Sequence, residues 1–179
     1  MTLRIKNIAG TALVTTLLLL IPFVAMKFDT GVNWSGSDFA IAGALIFITG
    51  LVGQLLVSQS GTLMHRLAGA LAVAAGFLSL WVNLAVGIIG SGPNGANLMF
   101  AAVFVTVFIG SARARLQPRG MAQTMFAAAL VQFLVPVVAL LIWQSEPMDM
   151  EGMAGNMIFV GMWAVSGWLY RQARSLRSA

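Results

Sequence analysis

Residues 67–112 read LAGALAVAAGFLSLWVNLAVGIIGSGPNGANLMFAAVFVTVFIGSA and contain no charged side chain. An α-helix needs about 20 apolar residues to cross the hydrocarbon core of a bilayer. These 46 residues are therefore too long for one span and suit two. The run GSGPNG at positions 90–95 interrupts the stretch near its middle with turn-forming residues. The stretch predicts a hairpin of two membrane-spanning helices.

The composition of the whole chain is also that of a membrane protein. Among its 179 residues, 59% are hydrophobic and only 8% are charged. The formal net charge is +5, but the basic residues stand at the ends of apolar runs and form no stripe that could follow a phosphate backbone, so no nucleic-acid partner is expected. The absence of cysteine excludes disulfides, thiolate metal sites and thiol catalysis.

Similar hairpins flank the central one on both sides. The sequence predicts an all-α integral membrane protein with six transmembrane helices, arranged as hairpins over residues 8–58, 67–115 and 119–171 of a single domain that covers 1–179. The apolar run 7–26 is longer than the usual core of a signal peptide and precedes no small-residue cleavage site. We interpret it as a retained first helix.

Charge placement predicts the orientation of the six helices, because short loops rich in Lys and Arg stay in the cytoplasm. With both termini cytoplasmic, all basic residues except Lys27 fall inside, and all five acidic residues fall on or near the outer side. The inner residues are Arg4, Lys6, Arg66, Arg113, Arg115, Arg119, Arg171, Arg174 and Arg177; the outer acids are Asp29, Asp38, Glu146, Asp149 and Glu151.

Three polar residues recur at a fixed spacing. Asp38, Asn97 and Asn156 each begin an even-numbered predicted helix, and successive members are 59 residues apart. Because each unit contains two helices, the three copies share one orientation, which predicts tandem parallel repeats. Two interpretations of the triplet stay open. The residues cap helices, as Asp and Asn commonly do, or they converge on an outward-facing pocket for a small solute.

Four amides lie within the predicted spans: Gln54, Asn83, Gln123 and Gln132. An amide in hydrocarbon needs a hydrogen-bonding partner, so we expect these side chains to make polar contacts between helices. No Asp, Glu, Lys or Arg lies at the middle of a predicted span, which argues against a proton relay or a proton-coupled pump.

Two further features have residue types found in metal or catalytic sites. Met148, Met150 and Met153 have a spacing that could bind Cu(I) through thioethers, although methionine is also common at apolar interfaces. His65 is the only histidine and stands beside Arg66, where we expect it to reach toward lipid headgroups. No resident cofactor and no catalytic residue is predicted.

Three segments carry a family resemblance: Ile21-Pro22-Phe23, Leu80-Trp81-Val82 and Val135-Pro136-Val137. Each resembles the Ser-Pro-Trp motif of the two-helix SPW repeat found in small bacterial membrane proteins. Residues 81–91 also resemble a segment of uncharacterised bacterial membrane proteins. The resemblance implies a hairpin-repeat fold in the bacterial cytoplasmic (inner) membrane and implies no catalytic activity.

These observations favour a non-enzymatic multi-pass membrane protein. The expected role is an accessory or packing subunit, either in a homo-oligomer or with other membrane subunits, with the lipid bilayer as its surroundings. Small residues in several predicted helices would let neighbouring helices approach closely. The alternative is binding or transport of a small solute through the pocket at the outer ends of helices 2, 4 and 6.

Overall fold

The computed structural model describes residues 5–28, 30–59, 61–90, 95–142 and 150–175, and within these ranges it contains helices and no β-strand. The all-α class is therefore confirmed. The helices are α1 (Ile5–Ala25), α2 (Gly36–Gln59), α3 (Leu63–Ala85), a 3₁₀ helix (Gly95–Phe100) that leads into α4 (Ala101–Ala114), α5 (Pro118–Ile142) and α6 (Met150–Ser175).

Five segments have the length and apolarity of membrane spans: α1, α2, α3, the continuous segment Gly95–Ala114, and α5. Large Leu, Ile, Val and Phe side chains are exposed on all of them, as expected where the surrounding solvent is hydrocarbon. α6 is 26 residues long but more polar than the other five and is not one of these segments. The predicted membrane class is thus supported, whereas the sixth span, the tandem repeats and the orientation stay predictions.

α3 begins one turn earlier than the sequence suggested. The predicted start was Leu67, the first residue of the uncharged run, whereas the helix starts at Leu63. Thr62 is its N-cap, and its hydroxyl accepts a hydrogen bond from the backbone N–H of His65 at 3.2 Å. A capping hydroxyl satisfies one of the donors that the first turn leaves free, so the helix includes two charged or titratable residues at its start.

The chain divides into two compact units, residues 1–59 and 60–179. The prediction of one domain over 1–179 concerns their arrangement and stays a prediction. In the first unit, α1 packs against α2 where glycine replaces a side chain. A Cβ added to Gly50 would lie 2.6 Å from Thr11 Cγ2, and one added to Gly43 would lie 3.1 Å from Leu19. Only glycine permits this approach of the two helices.

The second unit holds the main buried core. α5 packs against both α4 and α6, and α6 also packs against α3. Alanine is the commonest buried residue of this core, and the largest fully buried side chains are Trp163, Tyr170, Phe100 and Met125. Alanine keeps the helices close, and a few large side chains fill the remaining space. This core therefore fixes the positions of the buried polar side chains of the second unit.

Candidate functional site

Three polar side chains meet in the core of the second unit, and we call them the Gln132 cluster: Ser79 of α3, Gln132 of α5 and Asn156 of α6. All three are at most 1% exposed. Ser79 Oγ donates to Gln132 Oε1 at 3.4 Å, and Gln132 Nε2 donates to Asn156 Oδ1 at 2.8 Å. The cluster therefore joins three helices by hydrogen bonds between uncharged groups.

Asn156 also repairs a defect in α5. Pro136 lies inside that helix and has no N–H, so the carbonyl of Gln132, four residues earlier, lacks its helical donor. Asn156 Nδ2 donates to this backbone oxygen at 3.2 Å. The carboxamide of one helix thus replaces the missing backbone donor of another, which explains how an interior proline is accommodated in buried surroundings.

A second group, the Asn97 cluster, holds the segment that follows α3. Asn97 Oδ1 accepts from the backbone N–H groups of both Ile88 and Ile89 at 2.9 Å, and Asn97 Nδ2 donates to the carbonyl of Ile89 at 3.0 Å. Asn83 Nδ2 in turn donates to the carbonyl of Asn97 at 3.3 Å. One carboxamide satisfies three backbone groups and keeps two isoleucines buried in the core.

Glycine makes the path of this segment sterically accessible. Gly87 and Gly90 have φ values of 77° and 64°, a left-handed conformation that other residues seldom adopt. The N–H of Gly87 closes the end of α3 by donating to the carbonyl of Val82 at 3.2 Å. The chain then turns back so that Ile88 and Ile89 reach Asn97.

Asp38, the third member of the predicted triplet, belongs to the first unit and forms a capping box at the start of α2. Its Oδ2 accepts from the N–H of Ser35 at 2.7 Å, while its own N–H donates to Ser35 Oγ at 3.3 Å. Asn156, by contrast, is the seventh residue of α6, and Asn97 is the third residue of the 3₁₀ helix. Capping therefore accounts for Asp38 and not for the other two.

The four predicted interhelical amides differ in position. Gln54 of α2 donates to Thr11 Oγ1 and to the carbonyl of Asn7 at 3.2 Å, both on α1. Asn83 and Gln132 make the contacts given above. Gln123 lies on the exposed side of α5, and its side chain makes no hydrogen bond to the described residues. It was predicted to contact another helix because, like the other three amides, it lies within an apolar run.

His65 differs from its predicted position. It is only 5% exposed, and its ring packs edge-to-face on Tyr170 of α6, with centroids 5.4 Å apart. The expectation that it reaches toward headgroups is therefore wrong. His65 is buried because α6 places Tyr170 against it, and the sequence alone does not show that these two residues, 105 positions apart, are in contact. Tyr170 Oη and Trp163 Nε1 are buried without a hydrogen-bond partner within the described residues.

The predicted methionine site falls largely outside the described residues. Met148 and the side chain of Met150 lie there, while Met153 is 44% exposed on α6. Among the residues that can be searched, no group of three His, Cys, Asp or Glu side chains could hold a metal ion. The Cu(I) interpretation stays a prediction.

Together, the two clusters are suited to holding helices in place. Their members are amides, a hydroxyl and backbone groups, which donate and accept hydrogen bonds without gaining or losing charge at ordinary pH. Ser79 donates to an amide, which is not a base that could activate it as a nucleophile.

No protein-family model matches this sequence, and neither a curated protein nor a solved structure matches it.

Proposed function

We propose that the chain is a non-enzymatic multi-pass membrane protein that acts as an accessory or packing subunit, in a homo-oligomer or with other membrane subunits. The observation that carries the proposal is the use of buried amides. In the second unit, Gln132 and Asn156 bond to each other between α5 and α6, and Asn97 bonds to backbone groups of the segment after α3. These amides already form hydrogen bonds within the protein, so few of their donors and acceptors are left to bind a substrate. This favours a structural role over a substrate site.

The outward face of α6 supports an interaction with another helix. Ile158, Gly161, Val165 and Trp168 follow one another at spacings of three or four residues, and all are exposed. A Cβ added to Gly161 would meet nothing within 4 Å. A glycine in open space between larger apolar side chains offers a neighbouring helix a place to approach closely.

The same proposal includes six spans, with α6 as the last. α6 brings residues 150–175 back across the membrane, so both termini are cytoplasmic and the arginines gather on one side. The three hairpins are tandem parallel repeats in this scheme. The resemblance to the SPW repeat adds the bacterial cytoplasmic membrane as the location.

Purification of the full chain in a mild detergent tests the proposal. We expect a particle larger than the monomer, or a co-purifying membrane protein. Gly161→Leu should reduce that association without unfolding the chain, because the position is open. Gly10→Leu, at an equally open glycine of α1, is the matched control and should leave it unchanged. A strictly monomeric particle with no partner would overturn the proposal.

The alternative, a solute pocket made by Asp38, Asn97 and Asn156, has less support. Asn97 Oδ1 already accepts two hydrogen bonds, and Asn156 already makes two. Asp38→Ala and Asn97→Ala distinguish the two functions. Loss of solute binding with the folded protein retained would favour the pocket, whereas parallel loss of folding would favour a structural role.

A further inference from the structure

One end of the second unit is strongly basic. α3 and α5 begin there, and α4 and α6 end there. Five arginines at this end are exposed, and we call them the arginine end: Arg66, Arg113, Arg115, Arg119 and Arg171. No ion pair involves any of them within the described residues.

Contacts between the helices bring these arginines to one surface. The packed rings of His65 and Tyr170 immediately precede Arg66 and Arg171, so the start of α3 and the end of α6 are adjacent. A Cβ added to Gly167 would lie 3.2 Å from the carbonyl oxygen of Ala122, which joins the end of α6 to the start of α5.

α4 and α5 meet at the same end through another close approach. A Cβ added to Gly120 would lie 2.6 Å from Ala114 Cβ. The short turn between them therefore holds Arg113, Arg115 and Arg119 together.

Nothing in the sequence balances this charge locally. After residue 60 the acidic residues are Glu146, Asp149 and Glu151, and in the sequence all three fall between Ile142 and Gly152, away from the segments that carry the five arginines. Arg66 and Arg119 stand in the first turns of α3 and α5. A helix dipole disfavours a cation at that position, so helix stability does not explain their presence. An anion at this end would offset both charges.

We propose that the arginine end binds the phosphate groups of anionic phospholipids in the leaflet that it faces. Guanidinium groups bind phosphate oxygens through paired hydrogen bonds, and each basic residue near an anionic membrane surface adds attraction. Large apolar side chains adjoin the arginines: Leu67 follows Arg66, and Trp168 precedes Arg171 by one turn, and they are 45% and 52% exposed. A cationic rim above an apolar surface matches a lipid, which has a phosphate joined to acyl chains, better than free phosphate.

The test uses the full chain in nanodiscs made of equal parts phosphatidylglycerol and phosphatidylcholine. Native mass spectrometry counts the lipids that remain bound after release. We expect phosphatidylglycerol to be retained in preference to phosphatidylcholine. The preference should fall about tenfold or more in Arg66→Gln/Arg171→Gln, since two cations near the headgroups are lost, and it should weaken at high salt.

Arg4→Gln/Lys6→Gln is the matched control, because it removes the same charge before α1 and leaves the arginine end intact. It should lower phosphatidylglycerol retention much less than Arg66→Gln/Arg171→Gln does, because its two cations are not part of the cluster. Arg113→Gln/Arg119→Gln provides a second test at the α4–α5 turn and should also lower retention. The proposal would be overturned by equal retention of both lipids or by an equal loss in the control. It would also be overturned if inorganic phosphate alone raised the thermal stability of the chain as much as phosphatidylglycerol does.

Discussion

Asn156 donates from its carboxamide to the backbone carbonyl of Gln132, at the one position of α5 where Pro136 withholds the usual donor. Two helices are therefore joined at a point where one of them is incomplete. This arrangement makes the proline and the asparagine energetically dependent on each other, and that dependence can be measured.

Asn156→Ala should lower the free energy of unfolding by about 1–2 kcal/mol, because it leaves both the Gln132 side chain and its carbonyl short of a partner. In a Pro136→Ala background the loss should be smaller, since residue 136 then supplies the missing N–H. Reversible unfolding in mixed micelles gives the four values of this double-mutant cycle.

Ser166 offers a matched comparison on the same helix. Its hydroxyl donates to the carbonyl of Ala68 at 2.8 Å, away from Pro136. Ser166→Ala should therefore cost the same with or without Pro136→Ala. If the cost of Asn156→Ala were also the same with and without Pro136→Ala, the carboxamide of Asn156 would not be compensating for the donor that Pro136 lacks.

Asn97→Ala should release the segment after α3. The N–H groups of Ile88 and Ile89 both depend on Asn97 Oδ1, so their amide hydrogen exchange should accelerate by about tenfold or more as each loses about 1.4 kcal/mol of protection. Leu98→Ala, at a neighbouring side chain that is 77% exposed, should leave exchange unchanged. Unaltered protection of the two amides in Asn97→Ala would contradict the assigned role.

The first unit has its own test at the closest approach of α1 and α2. Gly50→Ala places a methyl group against Thr11 Cγ2, and the overlap should destabilise the hairpin by about 1–3 kcal/mol. Thr11→Ser removes that methyl group and keeps the hydroxyl that accepts from Gln54. It should therefore rescue Gly50→Ala in the same unfolding assay.

Gly10→Ala is the control for this pair. Nothing lies within 4 Å of a Cβ at Gly10, so the substitution should raise helix stability by up to about 1 kcal/mol. Failure of Thr11→Ser to restore stability would place the cost of Gly50→Ala somewhere other than this contact.

Labelling of single cysteines decides whether α6 crosses the membrane. The chain has no cysteine, so Met153→Cys and Arg171→Cys each give one reactive thiol, and both parent side chains are exposed. An impermeant maleimide added to whole cells should label the first and not the second. A reporter fused after Ala179 should be cytoplasmic. Labelling of both thiols from outside would refute six spans.

The apolar runs were sufficient to predict the helices. Spans need long uncharged segments, and these are local properties of the sequence. The predicted start of α3 was one turn late because it was placed after the last charged residue, Arg66. The helix in fact begins after its N-cap, Thr62. α6 was predicted as a helix from about Gly155 to Tyr170, but it begins at Met150, ends at Ser175 and is more polar than the other five.

The roles of the buried polar residues could be predicted only in part. Amides within apolar runs need partners, and that principle identified Gln54, Asn83 and Gln132. It also included Gln123, which is exposed, because helical rotation decides which face is buried. The repeat spacing suggested a common role for Asp38, Asn97 and Asn156, yet each bonds to different groups. Those partners are set by packing between helices that are distant in the sequence.

The proline in α5 also constrains the biosynthesis of the chain. While the ribosome has delivered α5 but not α6, the carbonyl of Gln132 has no donor and faces either lipid or water. A chain truncated before residue 156 should therefore keep an unpaired backbone carbonyl in its fifth helix, at a cost of about 1–3 kcal/mol. Synthesis of α6 as far as Asn156 is therefore also what completes the hydrogen bonding of α5.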